Sequence, residues 1–99
     1  MFYEWNIEKS IENIKKHKIS FEQAVITLED PFRLIVYDDA HSQIEDRYIV
    51  IGNAEMRVLL VIIAWTDEDT IRIISARRAN RKEMEAYNEN CSLFFGKRT

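Results

Sequence analysis

The stretch Ile71–Tyr87, IRIISARRANRKEMEAY, changes its periodicity halfway along. Ile71, Ile73 and Ile74 around Arg72 read as a strand, and Ser75-Ala76-Arg77-Arg78 as the turn that ends it. From about Ala79 the pattern is helical, with Met84 and Tyr87 three apart among charges, and it runs to about Glu89. Five cations (Arg72, Arg77, Arg78, Arg81 and Lys82) crowd into eleven residues. Arginines at a strand-to-helix junction are held by rigid elements at both ends, which suits gripping a phosphate with the guanidinium fork. Two other readings stand beside it: a solvated helix start with pairs such as Arg81 with Glu85, and a docking site for an acidic protein. Cations at a helix N-terminus oppose the macrodipole, so Arg77, Arg78 and Arg81 would be misplaced for stability there. Arginines and helix end together favour an anion.

Working back from this junction, Val58–Trp65 is an eight-residue apolar run with no charge. It is far short of the roughly 20 residues of a membrane helix. Being apolar on both faces, it belongs at the centre of a sheet covered above and below. Gly52-Asn53-Ala54-Glu55 is read as the hairpin turn before it, Arg47–Ile51 as its partner strand, and Thr66–Asp69 as the turn after it. Phe32–Tyr37 is a further strand, and Asp38–Gln43 a polar loop. Short turns between strands imply antiparallel hairpins, since a parallel crossover needs about a dozen residues or more.

The N-terminal third is helical after a short aromatic strand, Phe2–Trp5. Asn6 is an N-cap, and Ile7, Ile11 and Ile14 recur at helical spacing until the helix ends near His17-Lys18. Ser20 with Gln23 makes a capping box for a second helix that buries Phe21, Val25 and Leu28 and stops before Asp30-Pro31. The expected architecture is α+β: a mainly antiparallel sheet with helices packed on one side, in the order β-α-α-β-β-β-β-α. Residues 1–90 are expected to form one domain and 91–99 a loose tail, in which Leu93-Phe94-Phe95 is apolar enough to dock.

Net charge is −3, unevenly spread: residues 71–99 carry seven basic and three acidic side chains. An acidic body with one basic end can still bind RNA there, or offer either face to a charged protein. The lone Cys91 makes no internal disulfide and gives no metal spacing, and is read as a bystander. Met1–Trp5 is strand-like rather than a leader, so a reducing cytoplasm is the expectation.

Candidate chemistry lies in two further groups. His17, flanked by Lys15, Lys16 and Lys18, is either a helix-end cap or a proton-transfer group for a ribose hydroxyl. His41, Glu45 and Arg47 lie in HSQIEDRY; they are either a loop histidine with an ion pair or an arginine and carboxylate facing substrate. Tyr87 can place its ring in the core and its hydroxyl in a site. No Walker loop, GxGxxG, HExxH or GxSxG occurs.

Three blocks, FYEWNIEKSIENIKKHKISFEQA (2–24), HSQIEDRYIVIG (41–52) and RIISARRANRKEMEAY (72–87), resemble the BrnT family. These are toxins of type II toxin–antitoxin systems in the RelE-like ribonuclease superfamily. Lys18 departs from the pattern, where the family usually has glycine. The resemblance implies RNA cleavage without metal or other cofactor. It also implies a BrnA-type antitoxin with a ribbon-helix-helix DNA-binding domain, DNA being reached only through that antitoxin, and no membrane partner. His17 answers to the Lys-His pair, Glu45 and Arg47 to an E-x-R strand, and Arg72, Arg77, Arg78 and Arg81 to the arginine block. Chemistry then suggests Arg77 and Arg47 as a phosphate clamp supported by Arg72 or Arg78. His17 or Glu45 would be the base, Tyr87 an orienting or proton-donating hydroxyl, and Lys16, Arg78 and Arg81 RNA contacts. The rival expectation is a non-catalytic binding module whose basic end docks an acidic partner.

Overall fold

The computed structural model describes residues 1–95, with side chains through residue 92. The elements are β1 (Phe2–Glu4), α1 (Ile7–His17), α2 (Phe21–Leu28), β2 (Leu34–Tyr37), a 3-10 turn (Asp39–His41), β3 (Arg47–Ala54), β4 (Arg57–Trp65), β5 (Thr70–Arg78) and α3 (Arg81–Phe95). One five-stranded sheet has the order β1-β5-β4-β3-β2. It is mixed: β1 runs parallel to β5, and every other neighbouring pair is antiparallel.

β4 lies at the centre of the sheet, where its uninterrupted apolar sequence belongs. Its side chains feed two cores. Leu59, Val61 and Ile63 meet Val50, Ile71, Ile73, Ile19, Phe21, Ala24 and Leu28 on the face covered by α2. Leu60 and Ile62 meet Ile49, Ile51, Leu34, Tyr87 and Cys91 on the other face, under α3. The helices therefore do not share one side. A strand whose alternate residues are all apolar has two faces to cover, and α3 takes the second.

The two caps read from sequence form as expected. Asn6 Oδ1 accepts from the Lys9 amide at 3.1 Å. Ser20 Oγ accepts from the Gln23 amide at 3.1 Å, while Gln23 Oε1 accepts from the Ser20 amide at 2.9 Å. Lys18 supplies the left-handed C-cap itself (φ 62°), donating its amide to Ile14 O at 2.9 Å.

Four local expectations change. The isoleucine stripe of α1 faces outward, Ile7 being 73% and Ile11 50% exposed. The residue α1 buries is Asn13, whose Nδ2 donates to Ile19 O (2.9 Å) and Ala76 O (2.8 Å) while its Oδ1 accepts from the Ala76 amide (3.1 Å). The β3–β4 turn is Glu55-Met56, both at positive φ, because Gly52 and Asn53 still pair across the ladder with Leu59 and Val58. β5 continues through the expected turn to Arg78, since Ala76, Arg77 and Arg78 remain in register with Val61, Leu60 and Leu59. Finally, α3 extends to Phe95, so the start of the expected tail is helical. The docking expected of Leu93, Phe94 and Phe95 lies outside the described side chains.

Candidate active site

The longer β5 redistributes the arginines. Residues along a strand alternate between faces, so Arg77 and Arg78 point to opposite sides of the sheet. Arg77 lies opposite Leu60 on the α3 face, and Arg78 opposite Leu59 at the exposed end of the strand. Arg72 and Arg77, five residues apart, would ordinarily face opposite ways. A bulge at Ile74, where Ser75 pairs with Ile62 and Ile73 with Ile63, puts both on the α3 face. Arg47 joins them, since it pairs with Ala64, which pairs with Arg72.

α3 covers only the Leu34–Ile51–Leu60 half of this face. The other half is open, walled by the 38–47 loop and the first turn of α3. There Asp38, His41, Arg47, Ile49, Ile62, Ser75, Arg77 and Glu83 line a recess of about 380 Å³. A second recess holds Asn6, Lys9, Glu45, Arg47, Arg72 and Ile74. A third holds Lys9, Lys16, His17, Ile74 and Ser75. Ile74 lines all three, while Arg47, Ser75 and Lys9 each line two of them, so the recesses adjoin along β5.

Within this groove Glu45 bridges two guanidinium groups. It is hydrogen-bonded to Arg72 and stands 3.7 Å from Arg47 Nη2. The Arg72 bond, aided by the charges of Arg72 and Arg47, holds its carboxyl below the usual range, so Glu45 is a poor proton acceptor at neutral pH. Arg47 Nε is buried with no acceptor among the described residues.

Arg77 is differently engaged. Its two Nη atoms meet the two oxygens of Glu83 at 2.9 Å each, a bidentate pair. Glu83 also accepts from the Asn80 amide (2.8 Å), and Asn80 Oδ1 accepts from the Glu83 amide (2.9 Å), a reciprocal cap on α3. The Arg77 bond draws the Glu83 carboxyl down and raises the guanidinium of Arg77.

His17 and Lys16 reach the groove from α1. Tyr87 does not. Its hydroxyl donates to Asp30, which also accepts from the amides of Phe32 and Asn53. Asn53 is six residues along β3 from Arg47, roughly 20 Å away. Burial, and then the Asp30 bond, push the tyrosine hydroxyl well above its ordinary range, so its proton is held firmly. For Asp30 itself, burial opposes ionisation, but the bonds from Tyr87, Asn53 and Phe32 outweigh it and lower its pKa. Arg81 pairs with Glu85 at 3.4 Å on the outside of α3, with its side chain 93% exposed. Arg78 and Arg81 are thus apart from the groove.

Sequence reading passed over Asp38 and, while grouping His41 with Glu45 and Arg47, gave the histidine no role of its own. His41 Nδ1 lies 3.1 Å from both Asp38 oxygens, at the edge of two recesses with Arg47. The available signal was the D-x-x-H spacing, which one 3-10 turn brings into contact. Among the described residues, no three His, Cys, Asp or Glu side chains stand together as metal ligands do, and no helix is long and apolar enough to cross a membrane.

Comparison with known proteins places this site in context. No curated protein matches the sequence. In fold the chain is similar to the Brucella abortus ribonuclease toxin BrnT, with a TM-score of 0.65 and 22% identity, over 82% of this chain and 100% of that one. Residues 5–83 match the family model described as the ribonuclease toxin BrnT of type II toxin–antitoxin systems. That match spans α1 through the first turn of α3 and takes in every residue of the groove, and the chain belongs to the BrnT ribonuclease toxin family.

Proposed function

We propose that this chain is an endoribonuclease that cleaves RNA by attack of a ribose 2′-hydroxyl on the adjacent phosphate. The observation that carries the reading is the pair Arg47 and Arg72, drawn together by Glu45 in an open groove. Arg47 Nε there is still short of an acceptor. Two guanidinium groups at one point, one with a buried unsatisfied donor, suit a phosphate that gains charge during reaction. Lys9, Lys16 and His17 extend the groove along α1 and give the flanking nucleotide backbone a cationic track. Arg77 stands at the far wall, held by Glu83.

The wider role is a cytoplasmic toxin in the RelE-like superfamily. It needs no metal, stops translation by destroying RNA, and is neutralised by a BrnA-type ribbon-helix-helix antitoxin. The family's description as a type II toxin supports the antitoxin, and arginines placed to take up negative charge support metal-free chemistry.

The test is cleavage of RNA by wild type and Arg47→Ala in excess EDTA, with folding checked by circular dichroism. Wild type should cleave, and the variant should be slower by about 10²–10³-fold. Arg47→Ala at wild-type rate removes Arg47 from the site, and EDTA-sensitive cleavage removes the metal-free claim.

A further inference from the structure

We infer that His41, oriented by Asp38, is the group that takes the 2′-hydroxyl proton in this groove; the assignment rests on the ribonuclease reading above. Asp38 is built into the fold. It is 8% exposed, and its amide donates to Arg47 O at 2.9 Å, tying it to the start of β3. Ser42 Oγ donates to Asp38 O and accepts from the Arg47 amide at 3.0 Å, which cinches the loop on Arg47 from the other side. The 3-10 turn Asp39–His41 then returns the histidine ring over the Asp38 carboxylate.

Both carboxylate oxygens lie 3.1 Å from Nδ1. A carboxylate accepts only, so the neutral ring carries its proton on Nδ1 and keeps the Nε2 lone pair free. Nε2 has no protein partner among the described residues, and the ring lines the recesses that hold Arg47, Ser75, Arg77 and Glu45. This is the division of labour of a histidine base with an orienting carboxylate.

The other proton acceptors fit less well. Glu45 is neutralised by Arg72 and Arg47. Tyr87 is committed to Asp30 away from the groove. His17 sits on α1, in a recess that Arg47 does not line. His41 is the histidine adjoining the proposed phosphate site.

In the step, the 2′-oxygen bonds to phosphorus while its proton passes to His41 Nε2. The phosphorus–5′-oxygen bond breaks, its electron pair leaves on that oxygen, and a proton from water completes the 5′-hydroxyl. The products are a 2′,3′-cyclic phosphate and a free 5′ end. Asp38 is the positioning residue, and its charge stabilises the imidazolium that forms. The charged groups facing the ring are Asp38, Glu45 of the loop, Arg47 of β3, Arg77 of β5 and Glu83 of α3.

The experiment compares wild type, His41→Gln and Asp38→Asn on one RNA, measuring binding and single-turnover cleavage across pH. His41→Gln should bind RNA as wild type does and cleave about 10²–10⁴-fold more slowly. Imidazole should restore part of the activity of His41→Gly. Asp38→Asn should lose less rate than His41→Gln, with the loss confined to the cleavage step while RNA binding stays as in wild type, and Asp38→Glu should recover part of it. His41→Gln cleaving as fast as a cleaving wild type overturns this assignment alone. A wild type that leaves RNA intact overturns the ribonuclease reading and this assignment with it.

Discussion

Arg77 of β5 and Glu83 of α3 are joined by two parallel 2.9 Å bonds, and Glu83 is at the same time the residue that caps α3. One carboxylate therefore fixes an arginine on the cleft wall and anchors the helix that covers half of the sheet face.

Glu83→Ala removes both functions and should cost about 1–2 kcal/mol, most of it from the cap, because Arg77 is partly solvated and its charge pairing is screened. Glu83→Gln keeps a capping oxygen and should cost less. The carboxyl is depressed in the folded state, first by the Arg77 bond. Its contribution is thus complete above the unfolded value of about 4.3 and is lost as pH falls through the lower folded value. Urea titrations between pH 7 and 3 should show wild type losing this increment while Glu83→Gln does not. Parallel curves refute the linkage.

Tyr87→Phe should leave RNA cleavage intact while lowering stability by about 1 kcal/mol, the net worth of its bond to Asp30. The ring stays packed on Ile51 and Leu60. Cleavage assays beside chemical denaturation separate the two effects, and a large rate loss in a folded variant would return the tyrosine to the site.

Glu55 and Met56 occupy left-handed conformations, with φ of 51° and 69°. Side chains with a Cβ pay for this region, which is why Asn-Gly dominates such two-residue hairpin turns. Replacing the pair by Asn-Gly should stabilise the fold by about 1 kcal/mol. Met56 is 95% exposed, so no packing is lost. A lower thermal midpoint would contradict the conformational argument.

The parts of the fold legible in the sequence were those set by local chemistry. The caps at Asn6 and Ser20 and the central place of Val58–Trp65 each follow from groups within one turn or one strand. What could not be read depended on partners far along the chain. Ile7, Ile11 and Ile14 form a helical stripe, but the face of α1 turned to the sheet is chosen by Asn13 and the backbone of Ala76, 63 residues away. Ser75-Ala76-Arg77-Arg78 has the composition of a loop, yet β4 holds it in register. The expectation of helices on one side overlooked what the doubly apolar β4 requires.

The candidate site divides in the same way. Glu45 and Arg47 are two apart in sequence, and their pairing was visible there; the third member, Arg72, is aimed by a bulge that no local pattern announces. Arg77 was recognised, but not the carboxylate that engages it. Family resemblance found the blocks, while the Asp38–His41 contact needed the geometry of the turn between them.

Asn13 also determines where the sheet stops. β1 pairs with only the first three residues of β5, which leaves the outer side of the strand without a neighbour beyond Arg72. A side-chain amide that both donates to and accepts from Ala76 occupies the groups a further strand would use. An open edge is a template for polymerisation between chains, and here one asparagine plugs it. The helix that carries this asparagine also carries Lys16 and His17, so the contact that covers this part of the β5 edge also places the α1 wall of the groove beside it.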